Sequence, residues 1–466
     1  MQNKDFNKKI IVLSGGTGFV GSALTVALLK RGYHVRILTR DKKKYDSIKT
    51  LPVEYFYWDS ASTPAPESAL EGAYGVVHLA GESVAGSRWT QKRKKAILES
   101  RTIGTQNLVK GIAHLSAIPQ VLIGTSAIGF YGDRANEELS EASKQGDGFL
   151  PEVCKQWEDE TLKAQSLLRV ALIRVGIVLG TEAGALNQML PIFRLGLGGP
   201  LGSGAQWMSW IHLQDLVEMY IFALENNLSG AFNGVAPKPV TNKNFTQALS
   251  QALGRPAVIP APQFGIKVAF GQMATIILSS QKVSATKIVE AGFKFSFPSI
   301  EVALGDLLSP LGFKGAYTLK AYQWLPSEKN KVFEFFSQAS NLEVLTPEWL
   351  NFKIEKVSDA KIKKDTLIDY NLRVRGIPIR WKTLIAEWQV GHSFVDRMLK
   401  GPYRDWHHTH TFTELDGGTL IYDQVYYRLP IGVIGNLVAM LWVVADVFKI
   451  FNYRKAKISE LFKARD

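Results

Sequence analysis

Residues 10–21 read Ile-Ile-Val-Leu-Ser-Gly-Gly-Thr-Gly-Phe-Val-Gly, an apolar run closed by glycines at 15, 18 and 21. That spacing suits the binding of a diphosphate. Gly15 permits a tight turn after a strand, and Gly18 lets backbone N–H groups come close to phosphate oxygens. Gly21 lets the next helix lie against the strand, while that helix's N-terminus supplies partial positive charge. Thr17, Phe19 and Val20 complete the loop, and helix formers follow (Ala23-Leu24, then Ala27 to Arg31) before a stop at Gly32. The chemistry predicted here is the cradling of a dinucleotide.

Such a loop needs a sheet to carry it. Strand patterns recur at Tyr33–Thr39, Val53–Tyr57, Gly75–Leu79, Gln120–Thr125 and Val170–Val175, with helical patterns between most of them, notably Lys92–Leu115 and Leu150–Leu168. Strands alternating with helices predict a parallel, doubly wound sheet. A Gly-rich stretch at 196–204 and a Pro-rich one at 236–262 break the rhythm and predict a smaller lobe over the carboxyl ends of the strands. The texture changes around 305–318. Seven strand-like runs follow between Tyr317 and Leu429, bracketed by helical signals at Ser327–Gln338 and 431–463. This predicts an antiparallel sheet gripped by a long C-terminal helix.

The chain has 466 residues and a net charge of +13. The excess is diffuse: residues 317–466 carry 22 Lys and Arg against 17 Asp and Glu, or +5, and the remainder +8. A diffuse excess favours small anions or weak contact with a membrane surface, and no nucleic-acid stripe or motif is visible. Cys154 is the single cysteine, which rules out disulfides within the chain and points to a reducing, cytoplasmic setting. Ile431–Phe448 is strongly apolar but interrupted by Asn436 and Asp446, and reads as an amphipathic helix covering a sheet or as a membrane span. Oligomeric state is not legible.

The first two-thirds of the chain resembles the extended short-chain dehydrogenase/reductase superfamily and, within it, the atypical epimerase-family (nucleotide-sugar-epimerase-like) branch. The resemblance rests on GGTGFVGSAL (15–24), HLAGESVAGSRWT (78–90), SRTIGT (100–105), TSAIGFYGD (125–133), RVGIVLG (174–180) and GGPLGSGAQWMSWIHLQDL (198–216). It implies an α/β Rossmann domain over residues 8–308, with 233–308 as the branch's C-terminal extension. Residues 317–466 resemble a START-like (SRPBCC, helix-grip) α+β domain through NLEVLTPEWLNF, KGPYRDWHHTHTF and GGTLIYDQVYYRLP. That resemblance implies a curved sheet around a cavity for an apolar ligand, with polar groups such as His408, His410 and Tyr426 in its lining.

By resemblance the cofactor is NADP: Arg40 follows the second strand, where a cation pairs with a 2′-phosphate, although Asp41 stands beside it. Asp59 matches the adenine contact, Leu79, Ala80 and Gly81 the passage under the adenosine ribose, and Gly176 and Ile177 the nicotinamide contact. The catalytic centre departs from the superfamily. Ser126 matches its serine, yet no tyrosine occurs between Tyr131 and Tyr220, so the Tyr-x-x-x-Lys motif is missing. In one register Leu150 takes the tyrosine place and Cys154 the lysine place; a shift of one retains Lys155. Arg101 stands where asparagine is usual, and Tyr131 is a further acid within reach.

Two functions remain open: hydride transfer at a carbinol or carbonyl of a small-molecule substrate, by a reductase or epimerase, or non-catalytic NADP binding by a sensor or scaffold. The basic cluster Arg88, Lys92, Arg93, Lys94 and Lys95 faces an anionic substrate or merely opens a solvated helix. His407, His408 and His410 suggest a metal, but no carboxylate or cysteine at matching spacing completes a set, so no metal is expected.

Overall fold

The structure, a computed structural model, describes residues 9–40, 51–430, 432–438 and 442–463. Asp41, Ile431 and residues 439–441 lie outside them.

The six apolar runs read from the sequence form parallel strands β1 (Ile10–Ser14), β2 (His34–Thr39), β3 (Glu54–Tyr57), β4 (Ala73–His78), β5 (Val121–Ala127) and β6 (Arg169–Val175), and a seventh that the sequence reading missed, β7 (Gly230–Gly234), joins them. Their order is β7-β6-β5-β4-β1-β2-β3. The connections change direction between β1 and β4, whose carboxyl ends therefore border the crevice where such sheets bind ligands. Ile11, Val12 and Leu13 are fully buried because the sheet is covered on both faces, which is why β1 reads as a continuous apolar run. Helix α1 (Phe19–Lys30) packs on one face, and α2 (Gln91–Ala113) and α3 (Phe149–Leu162) follow β4 and β5. Helix α2 starts where Thr90 accepts from the Arg93 N–H at 3.2 Å. Between β6 and β7, α4 (Leu213–Glu225) packs against α1.

The predicted small lobe is built from two-stranded pairs: Ile177–Leu179 with Trp210–His212, Trp207–Met208 with Val240–Thr241, and Glu138–Leu139 with Lys282–Val283. The helix Ile300–Leu308 buries Leu304 and Leu307 against Leu249 and Leu253. Asp215 braces this extension by accepting from the Ser296 and Phe297 N–H groups at 2.9 and 3.0 Å.

The second sheet is antiparallel. It comprises β8 (Tyr317–Leu325), β9 (Lys353–Val357), β10 (Leu367–Val374), β11 (Ile377–Gln389), β12 (Ser393–Lys400), β13 (Asp405–Leu415) and β14 (Gly418–Arg428), with α5 (Lys329–Phe336) between β8 and β9. The order is β8-β14-β13-β12-β11-β10-β9. Helix α6 (Val444–Leu461) covers one face through Val447, Phe451 and Ile458. The predicted single helix over 431–463 is represented by two described pieces, Gly432–Val438 and α6. Among the described residues no helix is long and apolar enough to cross a membrane.

The two domains are joined tightly. The Arg194 guanidinium donates to the Gly315 and Ala316 carbonyls at 2.6 and 2.9 Å and lies over the Tyr317 ring. Lys30 of α1 sits 5.3 Å from the Tyr322 and Tyr422 ring centres on the sheet face away from α6.

Where the carbon-lined cavity is expected, under α6, aromatic rings pack against one another. Phe333, Phe336, Phe394 and Phe412 fill that side of the sheet, with neighbouring ring centres 5.2–6.4 Å apart. The space beside Asp423 measures about 10 Å³, the size of one water. Tyr426 also departs from its expected place: it neighbours His407 on the opposite face from His408 and His410, as the alternation of β13 and β14 requires.

Candidate functional site

The glycine loop is built as its spacing predicts. Gly15 adopts φ +75°, and a Cβ added there would lie 2.9 Å from the Ala80 nitrogen, so only glycine lets β1 turn against the end of β4. A Cβ at Gly21 would fall 2.1 Å from the Gly15 oxygen, which fixes α1 directly on the turn. Gly18 is exposed, donates to the Gly15 carbonyl at 3.0 Å and forms the N-cap of α1, where no side chain caps the helix. Backbone N–H groups and the positive helix end thus face the crevice, the arrangement a diphosphate needs. Thr17 and Val20 are half-buried beside it, and Phe19 packs under the loop of Gly180, whose added Cβ would meet the ring at 2.6 Å.

Beneath the loop, His78 ties β1 to β4 and α2. Its Nδ1 is 2.5 Å from the Ser14 Oγ and its Nε2 is 3.0 Å from the Thr105 Oγ1. Burial foremost, and the Arg101 charge second, push its pKa down to about 4.

Around the expected cofactor rim, Arg40 is 63% exposed and 3.4 Å from Glu82, which also accepts from Arg93 at 2.9 Å. Asp59 stands past the end of β3 but caps its own turn, accepting from the Ser62 Oγ at 2.6 Å and the Ala61 N–H at 3.3 Å. The Ser62 hydrogen bond is the main reason its pKa is lowered. Leu79, Ala80 and Gly81 leave β4 along the Gly15 turn. Arg101 braces this segment, donating to the Glu82 and Ile97 carbonyls, both at 3.0 Å, with its guanidinium against Gly81 and over Trp157. Gly176 brings the end of β6 against Ser209, where a Cβ would lie 2.6 Å from the carbonyl oxygen, and the Ile177 N–H donates to that oxygen at 2.9 Å.

The residues predicted for catalysis are brought near one another but placed differently from the expectation. Ser126 is buried and donates to the Glu158 carboxylate at 2.6 Å. Glu158 holds Arg174 with two contacts of 2.8 Å, Arg174 donates to the Tyr131 hydroxyl at 3.0 Å, and Tyr131 donates to the Asn233 side chain at 2.6 Å. Ser126 and Tyr131 therefore belong to one buried network that runs from Ser126 to Asn233 across β5, α3, β6 and β7. Glu158, Arg174 and Asn233 were not singled out in the sequence. An arginine inside the apolar run of β6 was the available signal, because a buried guanidinium demands an acid.

The two candidate registers of α3 differ in where they place their residues. Lys155 pairs with Asp159 at the exposed surface, whereas Leu150 and Cys154 pack on Gly129, whose added Cβ would lie 3.5 Å from Leu150 and 3.6 Å from the Cys154 sulfur. Leu150 carries no proton to give. Burial foremost pushes the Cys154 thiol up to about 12.

The basic cluster is largely bracing. Arg88 donates to the Ala269 carbonyl at 2.9 Å, and the Trp89 indole donates to the Val84 carbonyl at 2.8 Å. Arg88 thus fastens the loop after β4 to the helix Gln263–Phe270. Beside that helix a cleft of about 430 Å³ is lined by Asp133, Lys267, Gln272 and Thr275 among others. Trp207 donates to Asn136 at 2.9 Å, and His212 caps α4.

Comparison with known proteins follows this geometry. Residues 11–234 match the NAD dependent epimerase/dehydratase family, and residues 261–307 match a domain of unknown function (DUF1731). The chloroplastic SDR39U1 homolog of Arabidopsis thaliana is 39% identical over 302 residues, 64% of this chain and 86% of that protein. SDR39U1 of Homo sapiens is 36% identical over 304 residues, 64% of this chain and 99% of its own length. The chain belongs to this epimerase family. Among solved structures, human SDR39U1 (isoform 2) with NADPH superposes with a TM-score of 0.57 at 35% identity, covering 64% of this chain and 98% of that one. A nucleoside-diphosphate sugar epimerase of Corynebacterium glutamicum gives a TM-score of 0.54 at 32% identity, covering 67% of this chain and 60% of that one.

Proposed function

We propose that the chain binds NADP(H) and uses it for hydride transfer at a carbinol or carbonyl carbon of a small substrate, as a reductase or epimerase. The observation that carries the reading is the glycine turn, where Gly15 and Gly21 leave no room for side chains between β1, α1 and Ala80 and Gly18 opens the helix at the crevice. The NADPH bound by human SDR39U1 supports the choice of cofactor. Gly15–Gly21 would hold the diphosphate, Arg40 the 2′-phosphate, and Gly176 and Ile177 the amide end. The nicotinamide supplies the hydride. The chain's part is to orient and to exclude water, since by resemblance Leu150 takes the place of the usual tyrosine acid and Cys154 that of its lysine. Slow turnover on simple carbonyls follows, because a positioned acid contributes typically ~10²–10⁴-fold.

The Ser126–Glu158 contact favours a second reading, a cofactor-binding sensor, since it leaves the serine no free proton for a substrate oxygen. Adding candidate carbonyls and carbinols to the cofactor-loaded protein separates the two. Net loss of the nicotinamide absorbance supports a reductase, conversion of an added carbinol to its epimer at unchanged absorbance supports an epimerase, and neither change across substrate classes supports the sensor. We infer further that residues 317–466 are a helix-grip (START-like) domain, a reading supported by the seven-stranded antiparallel sheet closed by α6.

A further inference from the structure

The C-terminal sheet holds a cluster that the nicotinamide reading does not use. The register sets Asp396 of β12 opposite His408 of β13, and His410 opposite Asp423 of β14. Alternation along three neighbouring strands therefore puts all four side chains on the face covered by α6. The two imidazole rings lie 3.8 Å apart between their centres. Asp396 Oδ2 is 3.2 Å from His408 Nδ1 and 3.2 Å from His410 Nε2. On the other flank, Asp423 Oδ1 is 3.1 Å from His408 Nε2 and 2.6 Å from His410 Nδ1. Each ring thus turns one nitrogen to Asp396 and the other to Asp423. The sequence reading found no carboxylate to complete these histidines, because both acids come from adjacent strands.

A neutral imidazole has one N–H and one lone pair. His408 Nε2 donates to Asp423 at 3.1 Å, which turns its Nδ1 lone pair to Asp396, and with His410 as the Nδ1–H tautomer its Nε2 lone pair faces the same carboxylate, itself an acceptor. Three acceptors facing one point need a cation among them. We propose that this point is a binding site for a first-row transition-metal dication of the zinc type, with Asp396, His408 and His410 as ligands and Asp423 orienting His408 from behind. The three ligand atoms lie within 4.8 Å of one another. Bonds of about 2.0–2.1 Å in a tetrahedral site place ligand atoms roughly 3.3 Å apart, which the 3.2 Å edges to Asp396 already match. Imidazole with carboxylate suits zinc, iron, cobalt or nickel rather than magnesium or calcium. Phe336, Phe394 and Phe451 wall the cluster, and Arg454, which lies over the Phe336 and Phe451 rings, faces Asp423 and leaves Asp396 to the ion. The Asp396 side chain keeps 19% of its surface exposed, against 3–4% for the histidines, so the ion's entry and its fourth ligand, water, lie on that side.

The test uses the full, tag-free chain stripped with chelator and titrated with ZnCl2 and, separately, CoCl2. One Zn²⁺ per chain is expected, together with a rise in melting temperature and, for Co²⁺, the visible absorption of a four-coordinate nitrogen–oxygen site. Asp396→Asn, nearly isosteric, should weaken Zn²⁺ binding by ~100-fold or more. Asp423→Asn should weaken it by ~10–100-fold, the usual effect of losing the carboxylate behind a ligating histidine. Absence of saturable zinc uptake by the folded wild-type chain overturns the site and leaves the cluster held by a proton alone. Uptake unchanged in an Asp396→Asn chain that melts cooperatively overturns it as well.

Discussion

Ser126 donates to Glu158 across 2.6 Å inside a pocket closed to solvent, and that contact decides what the serine does. It caps a buried ion pair between Glu158 and Arg174. Ser126→Ala should therefore lower stability by about 1.5–3 kcal/mol, the range for one charge-assisted hydrogen bond, and leave NADPH affinity unchanged. Glu158→Gln strips the buried Arg174 of its counter-charge and should cost about 3–5 kcal/mol. Urea unfolding of both variants measures this, and a Ser126→Ala chain of full stability with lost turnover would restore the serine to catalysis.

Gly21→Ala should all but abolish cofactor binding. A methyl 2.1 Å from the Gly15 oxygen cannot be accommodated by moving a side chain, since the clash is with backbone. The alanine chain should still show its β-sheet by circular dichroism while NADPH quenching of its fluorescence disappears.

The Cys154 thiol is pushed up to about 12 by burial, against 9.0 for a free thiol. It should resist iodoacetamide in the folded chain and label fully in denaturant. Its contribution to stability is whole below pH 9 and is lost as pH rises toward 12, where the folded thiol finally ionises. Rapid labelling of native protein at pH 8 would contradict the burial.

His78 works in the opposite direction. Its pKa is about 4 in the fold and 6.5 unfolded, so its stabilising effect is complete above pH 6.5 and is lost as pH falls through 4. The full difference is of order 3 kcal/mol. Melting temperatures should fall between pH 7 and 4 in the wild type, and the slope should shrink in His78→Gln.

The β1 turn, the alternation of strands and helices, and the antiparallel character of the last domain were all legible, because each is written in local periodicity. What crosses the chain was not. Glu158 follows Cys154 by one helical turn and meets Arg174 only when α3 lies on β6. Asp396 and Asp423 reach the histidines only through the register of β12, β13 and β14. Lys155 and Cys154 are adjacent in sequence, and only the facing of α3 separates an exposed ion pair from a buried thiol. The filled interior beneath α6 depends on how four phenylalanines interlock, and alternation alone does not report that.

The central claim is cofactor recognition, and calorimetric titration of the full chain with NADPH and with NADH tests it most directly. The Arg40–Glu82 pair is exposed and worth at most about 1 kcal/mol, so a phosphate displaces it readily. One NADPH per chain should bind roughly 10-fold more tightly than NADH, a difference of about 1.4 kcal/mol, and Arg40→Ala should erase that preference. Equal affinity for the two cofactors in the wild type, or no binding of either, would contradict the account.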